Sequence, residues 1–367
     1  MRVVLAVTAT ENGGVWRHVK DLHAGLAARG HDVVYALPSA ARELWDEASS
    51  RGEEVLTQDE ALSRGADVWH AHLHRSFDTN ALWGMVRGHR AGGVGAVVST
   101  EHLPRNRTTD RAMSVDPSLP QGVRKPGARW VKTLMKRWEV SHVERVICVS
   151  EASRQFFCRR FGVPPTRVVA IPNGVPTPRA IPEFPSGDLH VVGVGSLCWR
   201  KGFDVLVEAA GMARENWSVT VHGGGPWEGH LRALAELGSA GRVVFAGHCA
   251  DGAAAPGRGH VLCLPSRAES SPYSVIEAMA LGRAVVGTRV DGIPELVPHG
   301  ECGLLVAPGS PGELAAALDT LARDRNLVEE MGAAARRRQE SMFTVDRMVD
   351  ATAAVYATVR EGARVCS

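Results

Sequence analysis

Short β-branched runs alternate with helical patterns from one end of this chain to the other, and a proline-rich break splits the alternation into two series. Val3–Val7, Val33–Leu37, Val68–His70, Val94–Thr100, Arg145–Val149 and Val168–Ile171 read as buried strands. Helical patterns such as Val15–Arg29 and Thr79–Arg90 lie between them. The second series runs through Val191–Val194, Val219–Val221, Val243–Phe245, Val261–Leu264, Ala284–Gly287 and Leu304–Val306. Continuous apolar strands separated by helices imply parallel sheets covered on both faces. Between the series, Pro172, Pro176, Pro178, Pro182 and Pro185 exclude a helix or a central strand and mark a linker. The expected architecture is therefore α/β, with two doubly wound domains. Ligands in such folds bind in crevices at the carboxyl ends of the strands.

With 367 residues, the chain is comfortable as two domains. Its apolar runs fall short of the ~20 residues that span a bilayer, and the segment from Met1 to Val7 reads as a strand rather than a leader. Seven scattered cysteines without a Cys-x-x-Cys pair favour a reducing, cytoplasmic setting over a disulfide framework. Basic residues are concentrated in Arg105–Arg137, but they do not interleave with aromatics on a nucleic-acid module, so nucleic acid is not an expected partner.

The most informative stretch is Glu269-Ser270-Ser271-Pro272-Tyr273-Ser274-Val275-Ile276-Glu277. It follows the strand Val261–Leu264 and opens an apolar helix that stops at Gly282. Glu269 is expected in the loop and Glu277 in the first turns of the helix, with backbone N–H groups at the helix start available to an anion. Hydroxyl acceptors at both ends and an anion site between them suit a nucleotide sugar.

This segment resembles the Glu-x7-Glu motif of retaining glycosyltransferases of family 4. The resemblance implies the GT-B fold: two Rossmann-like domains facing a cleft, with a C-terminal helix crossing back to the first domain. On that reading residues 1–175 bind the acceptor, 176–187 link, 188–343 bind the nucleotide sugar, and 344–367 return. Val345–Arg360 shows a suitable amphipathic stripe, with Thr352 as its one polar member. Further matches are Gly13-Gly14, the loop from Gly195 to Gly202, Gly223-Gly224-Gly225-Pro226, Ser150-Glu151 and Ile171–Val175.

The resemblance assigns Glu277 to the ribose, Glu269 to hydroxyls on the far side of the donor sugar, and Lys201 to the diphosphate. The family usually has Arg where this chain has Ser196, and Arg200 stands near enough to compensate. Tyr273 and Ser274 would offer backbone N–H groups. Gly13, Gly14 and Gly224 would let backbone approach the ligands, and His102 would meet a sugar hydroxyl or orient the acceptor. The implied reaction is metal-independent, retaining transfer of a hexose of glucose or N-acetylglucosamine type. The donor is a substrate rather than a tightly bound cofactor, UDP-sugar first and GDP-sugar second, and the acceptor is a small molecule. Alternatives are a catalytically weakened partner subunit, or an epimerase or phosphorylase of the same architecture.

Two features lie outside that assignment. His70-Ala71-His72-Leu73-His74 places three imidazoles on one face of a strand, but no carboxylate or cysteine adjoins them in sequence and no Asp-x-Asp occurs, so no metal is expected. In the basic stretch, Trp130, Val131, Leu134, Met135 and Trp138 share a helical face, and Arg129, Lys132 and Lys136 share another. The preferred expectation packs the apolar face on the domain and solvates the basic one. Docking on an anionic membrane is the less favoured reading, and an anionic acceptor held by Arg105, Arg107 or Arg111 is a third.

Overall fold

A computed structural model describes residues 1–10, 12–73, 93–102, 128–239, 241–249 and 251–365. The expected helix Thr79–Arg90, His74, and Arg105, Arg107 and Arg111 lie outside these residues. The described residues form two compact units. The first holds those up to 102, then 128–174 and 345–365, and the second those of 175–344.

The first unit contains strands β1 (Arg2–Val7), β2 (Asp32–Ala36), β3 (Val55–Leu56), β4 (Ala66–Leu73), β5 (Val94–Glu101), β6 (Arg145–Cys148) and β7 (Val168–Ala170). They pair in the order β3-β2-β1-β4-β5-β6-β7, all parallel. Val3 stands between Val33 and Val68, so β-branched side chains stack across the sheet centre. β3 is an addition to the strands read from sequence; two residues leave no periodicity to see.

The second unit contains β8 (Leu189–Val194), β9 (Trp217–His222), β10 (Val243–Gly247), β11 (Val261–Leu264), β12 (Ala284–Thr288) and β13 (Gly303–Val306). Their order is β10-β9-β8-β11-β12-β13, again parallel. Each sheet reverses its strand order once, between β1 and β4 in the first and between β8 and β11 in the second. The loops leaving those strands diverge there, which opens a crevice beyond their carboxyl ends.

The helix Val345–Val365 belongs to the first unit and extends past the expected Arg360. It lies so close to the helix Gly14–Ala28 that a Cβ on Gly25 would meet Val349 Cγ2 at 2.4 Å. Arg29 pairs with Asp346 and Asp350 across that seam. Thr352, the polar member of the stripe, is buried and donates its hydroxyl to the Met348 carbonyl at 2.8 Å, so it needs no solvent.

The helix Ala128–Ser141 departs from the preferred expectation at its described side chains, which do not include Arg129, Trp130 and Lys132. Val131, Leu134, Met135 and Trp138 are exposed, whereas Lys136, assigned to the solvated face, is fully buried. It forms ion pairs with the buried carboxylates of Glu101 and Glu139. Burial alone disfavours the ammonium, but the two adjacent carboxylates outweigh it and raise the Lys136 pKa above its ordinary value.

Candidate active site

In the second unit the crevice between β8 and β11 is built by two loops. After β8 the chain makes a tight turn through Trp199–Lys201 and then Gly202, whose φ of 70° is left-handed. A Cβ on Gly202 would fall 2.0 Å from the Pro265 carbonyl oxygen, so only glycine lets this loop lie against the end of β11. Arg267 N–H donates to the Arg200 carbonyl at 2.8 Å. The Arg267 guanidinium is bidentate to Asp204 and stacks on Trp199, 4.4 Å from the ring centroid. Gly223 does similar work one strand over, since a Cβ there would meet the Gly195 carbonyl oxygen at 2.0 Å.

The consequence is a cluster of charge. Lys201 Nζ lies 2.6 Å from Glu269 Oε1, and Arg200 Nη1 lies 2.7 Å from the same oxygen. Ser266 donates its hydroxyl to that oxygen at 3.3 Å. Glu269 is only 6% exposed. Burial pushes its carboxyl pKa up, but Arg200 and Lys201 outweigh burial and hold it below the usual carboxylate range. In return Glu269 raises the pKa of Arg200. Glu269 is thus an ionised acceptor at neutral pH beside two cations.

Asp291, which the sequence reading passed over, fixes the backbone of this carboxylate. It adopts φ 42° and accepts from the Glu269 N–H at 3.0 Å, while Gly292 N–H donates to the Glu269 carbonyl at 3.0 Å. An Asp-Gly pair is a turn signal, but nothing local links it to a residue on the neighbouring loop.

Pro272 caps the helix Tyr273–Ala280, which carries buried Ser274 and Glu277. Tyr273 is half-buried at its first position. Ser196 is exposed in the loop ahead of Lys201. Gly224 accepts from Leu197 N–H at 2.9 Å, and a Cβ on it would touch the His248 ring at 3.4 Å. The structure therefore brings Lys201, Arg200 and Glu269 into direct contact, with Glu277 on the helix that follows.

In the first unit, histidines gather beside the divergence of β1 and β4. His72 is the penultimate residue of β4, His102 follows β5, and His18 sits on the helix that starts at Gly14. Gly13 caps that helix in an extended conformation, and a Cβ on it would have nothing within 4 Å. The three rings lie with centroids 4.7 to 5.6 Å apart. His72 Nδ1 is 3.4 Å from His102 Nε2, and His18 Nδ1 is 3.0 Å from Asn173 Oδ1. Burial pushes the His18 pKa down to about 4 against the Asn173 hydrogen bond. Burial also holds His72 well below the ordinary histidine value, helped by the neighbouring imidazoles. His70, expected beside them, is used otherwise: its nitrogens meet Tyr356 Oη at 2.6 Å and Thr100 Oγ1 at 2.7 Å. His18 is the member that the sequence reading missed.

Among the described residues no helix is long and apolar enough to cross a membrane. A family model described as Glycosyltransferase Family 4 matches residues 12–179, and one described as Glycosyl transferases group 1 matches 188–324. The chain is 29% identical over 280 residues to the MMP alpha-(1->4)-mannosyltransferase of Mycolicibacterium hassiacum; the match covers 71% of this chain and 64% of that relative, just under two thirds of its length. It is 25% identical over 390 aligned positions to the glycogen synthase of Mycobacterium tuberculosis, covering 96% and 92%. Sucrose-phosphate synthase from Thermosynechococcus elongatus has a similar structure, with a TM-score of 0.78 at 17% identity over 99% and 100% of the two chains. Anabaena Alr3699/HepE in complex with UDP-glucose also gives 0.78, at 18% identity over 98% and 100%. At these identities the structural likeness is one of fold.

Proposed function

The chain belongs to the family 4 glycosyltransferases of the GT-B type, and from that premise we propose that it moves a hexose from a nucleotide diphosphate sugar to an acceptor hydroxyl with retention of configuration. The contact of Lys201 and Arg200 with Glu269 carries the reading. A diphosphate entering this crevice would compete with Glu269 for the two cations and free its carboxylate to accept sugar hydroxyls. Lys201, assisted by Arg200, would then stabilise the charge that builds on the leaving phosphate. The bond from C1 to the phosphate oxygen breaks, the bond from C1 to the acceptor oxygen forms on the same face, and the acceptor proton passes to the leaving phosphate. Two fixed cations supply the charge that a metal would otherwise provide, so the transfer is metal-independent on this account.

Glu277 would hold the ribose, and Tyr273, Ser274 and Gly224 would line the nucleotide with backbone. Ser196 is too short to replace an Arg on the diphosphate, and Arg200 takes that part. Residues 188–343 would bind the donor. Residues 1–175, with Gly13, Gly14 and His102, would bind the acceptor and the sugar. The relative named a mannosyltransferase makes mannose the chief competitor to glucose or N-acetylglucosamine, and GDP to UDP. The free thiols at Cys148, Cys158, Cys198, Cys249, Cys263 and Cys302 fit a cytoplasmic protein. An anionic acceptor remains part of the proposal, although the arginines invoked for it lie outside the described residues.

The test is incubation with UDP- and GDP-hexoses and a panel of sugar and sugar-phosphate acceptors, in the presence of a chelator, with the product anomer read by NMR. Nucleotide release coupled to an α-linked product from an α-donor is expected. Inverted product, or an absolute need for divalent metal, contradicts the mechanism.

A further inference from the structure

We infer that His18, His72 and His102 form a three-imidazole site for a divalent transition-metal ion, with Zn2+ the best match. One ring nitrogen from each lies within 4.8 Å of the other two. Ligands on a tetrahedral zinc, bound at 2.0–2.1 Å, stand about 3.4 Å from one another. The His72 Nδ1 to His102 Nε2 separation is already 3.4 Å. The largest gap left to close is therefore about 1.4 Å, which a small rotation of the half-buried His102 can supply.

One further observation points to a ligand: His18 is oriented as a metal ligand requires. The Asn173 Oδ1 accepts, so the His18 proton sits on Nδ1 and the Nε2 lone pair faces away from that bond. His70 is excluded, since both its nitrogens are engaged. Three imidazoles leave a fourth tetrahedral position open.

The site goes beyond the proposed transfer reaction, which uses no metal. Where His102 also serves the sugar, an ion here takes that imidazole away and gives a zinc-sensitive off state.

The test uses the chelator-treated full chain without nucleotide sugar, so that its failure says nothing about the donor reading. Zn2+ is titrated in competition with a chromogenic chelator, and Co2+ replaces it as a spectroscopic probe of geometry. One ion per chain is expected, with visible absorption typical of tetrahedral Co2+. His18→Ala and His102→Ala should weaken binding more than tenfold, and Asn173→Ala about 10–100-fold as the orienting partner. His230→Ala, at an exposed position of the helix Glu228–Gly238, should bind as the unaltered chain does. If His18→Ala or Asn173→Ala fails to fold by circular dichroism, His102→Ala carries the test at its half-buried position. Absence of stoichiometric Zn2+, or equal affinity in His102→Ala, overturns the assignment.

Discussion

Lys201 and Glu269 come from loops after different strands, yet Nζ and Oε1 are 2.6 Å apart on a carboxylate that is 6% exposed. Replacing that carboxylate by an amide leaves two cations without their charge partner. Both cations are partly exposed, so water restores some of the loss and the cost stays below that of a fully buried pair. Glu269→Gln should destabilise the chain by about 1–3 kcal/mol at neutral pH.

The pH dependence of that difference has a definite sign. The folded-state pKa of Glu269 is depressed. Its contribution is therefore complete above the unfolded value of about 4.3 and is lost as pH falls through the folded one. Urea denaturation of both proteins at about pH 7 and about pH 3 checks this. A gap that stays constant between the two contradicts it.

Gly202→Ala separates loop placement from charge. The substitution puts a Cβ into the Pro265 carbonyl and forces a side chain into φ 70°. The backbone penalty alone is about 1–2 kcal/mol. The loop escapes by shifting, which carries Lys201 away from Glu269. Turnover should fall more than tenfold while the melting temperature falls by only several degrees. Unchanged kcat would show that the loop position does not matter.

His18 should make the first unit sensitive to mild acid. Its folded pKa of about 4 lies below the unfolded value of about 6.5. The unfolded chain therefore binds more protons between these values, and stability falls as pH drops through that window, by at most about 3 kcal/mol from this residue. Denaturant titration at about pH 7 and about pH 5 should show a steeper loss in the unaltered chain than in His18→Asn. Equal slopes contradict the assignment of a buried neutral ring.

Lys136→Met tests the buried triad with Glu101 and Glu139. Removing the one cation leaves two buried carboxylates facing each other, so a loss of about 3–5 kcal/mol is expected at neutral pH. Adding Glu101→Gln and Glu139→Gln should recover part of it. A single substitution that costs under about 1 kcal/mol would mean that water reaches the site.

The contrast between Lys136 and the strands shows what a linear reading can see. Val3, Val68 and Val191 announce their strands because a parallel sheet buries both faces, and local apolar runs record that directly. The Glu269 and Lys201 loops stand out in the sequence because each keeps its charged and turn residues in a few consecutive positions, and the fold brings those charges into contact. Lys136 was misread because what permits its burial is Glu101, on another element. His18 was missed for the same reason: it meets His72 and His102 only after β4 and β5 pair. Asp291 reaches Glu269 across a loop, so no spacing reveals the bond.

The most direct test of the central claim is calorimetric titration of UDP- and GDP-sugars into the unaltered chain, Lys201→Ala and Glu277→Ala. One nucleotide sugar should bind the unaltered chain at a single site. Glu277→Ala should weaken that binding at least tenfold. Lys201→Ala should also lower kcat by about 100- to 1,000-fold. Donor affinity equal in all three proteins would contradict the account.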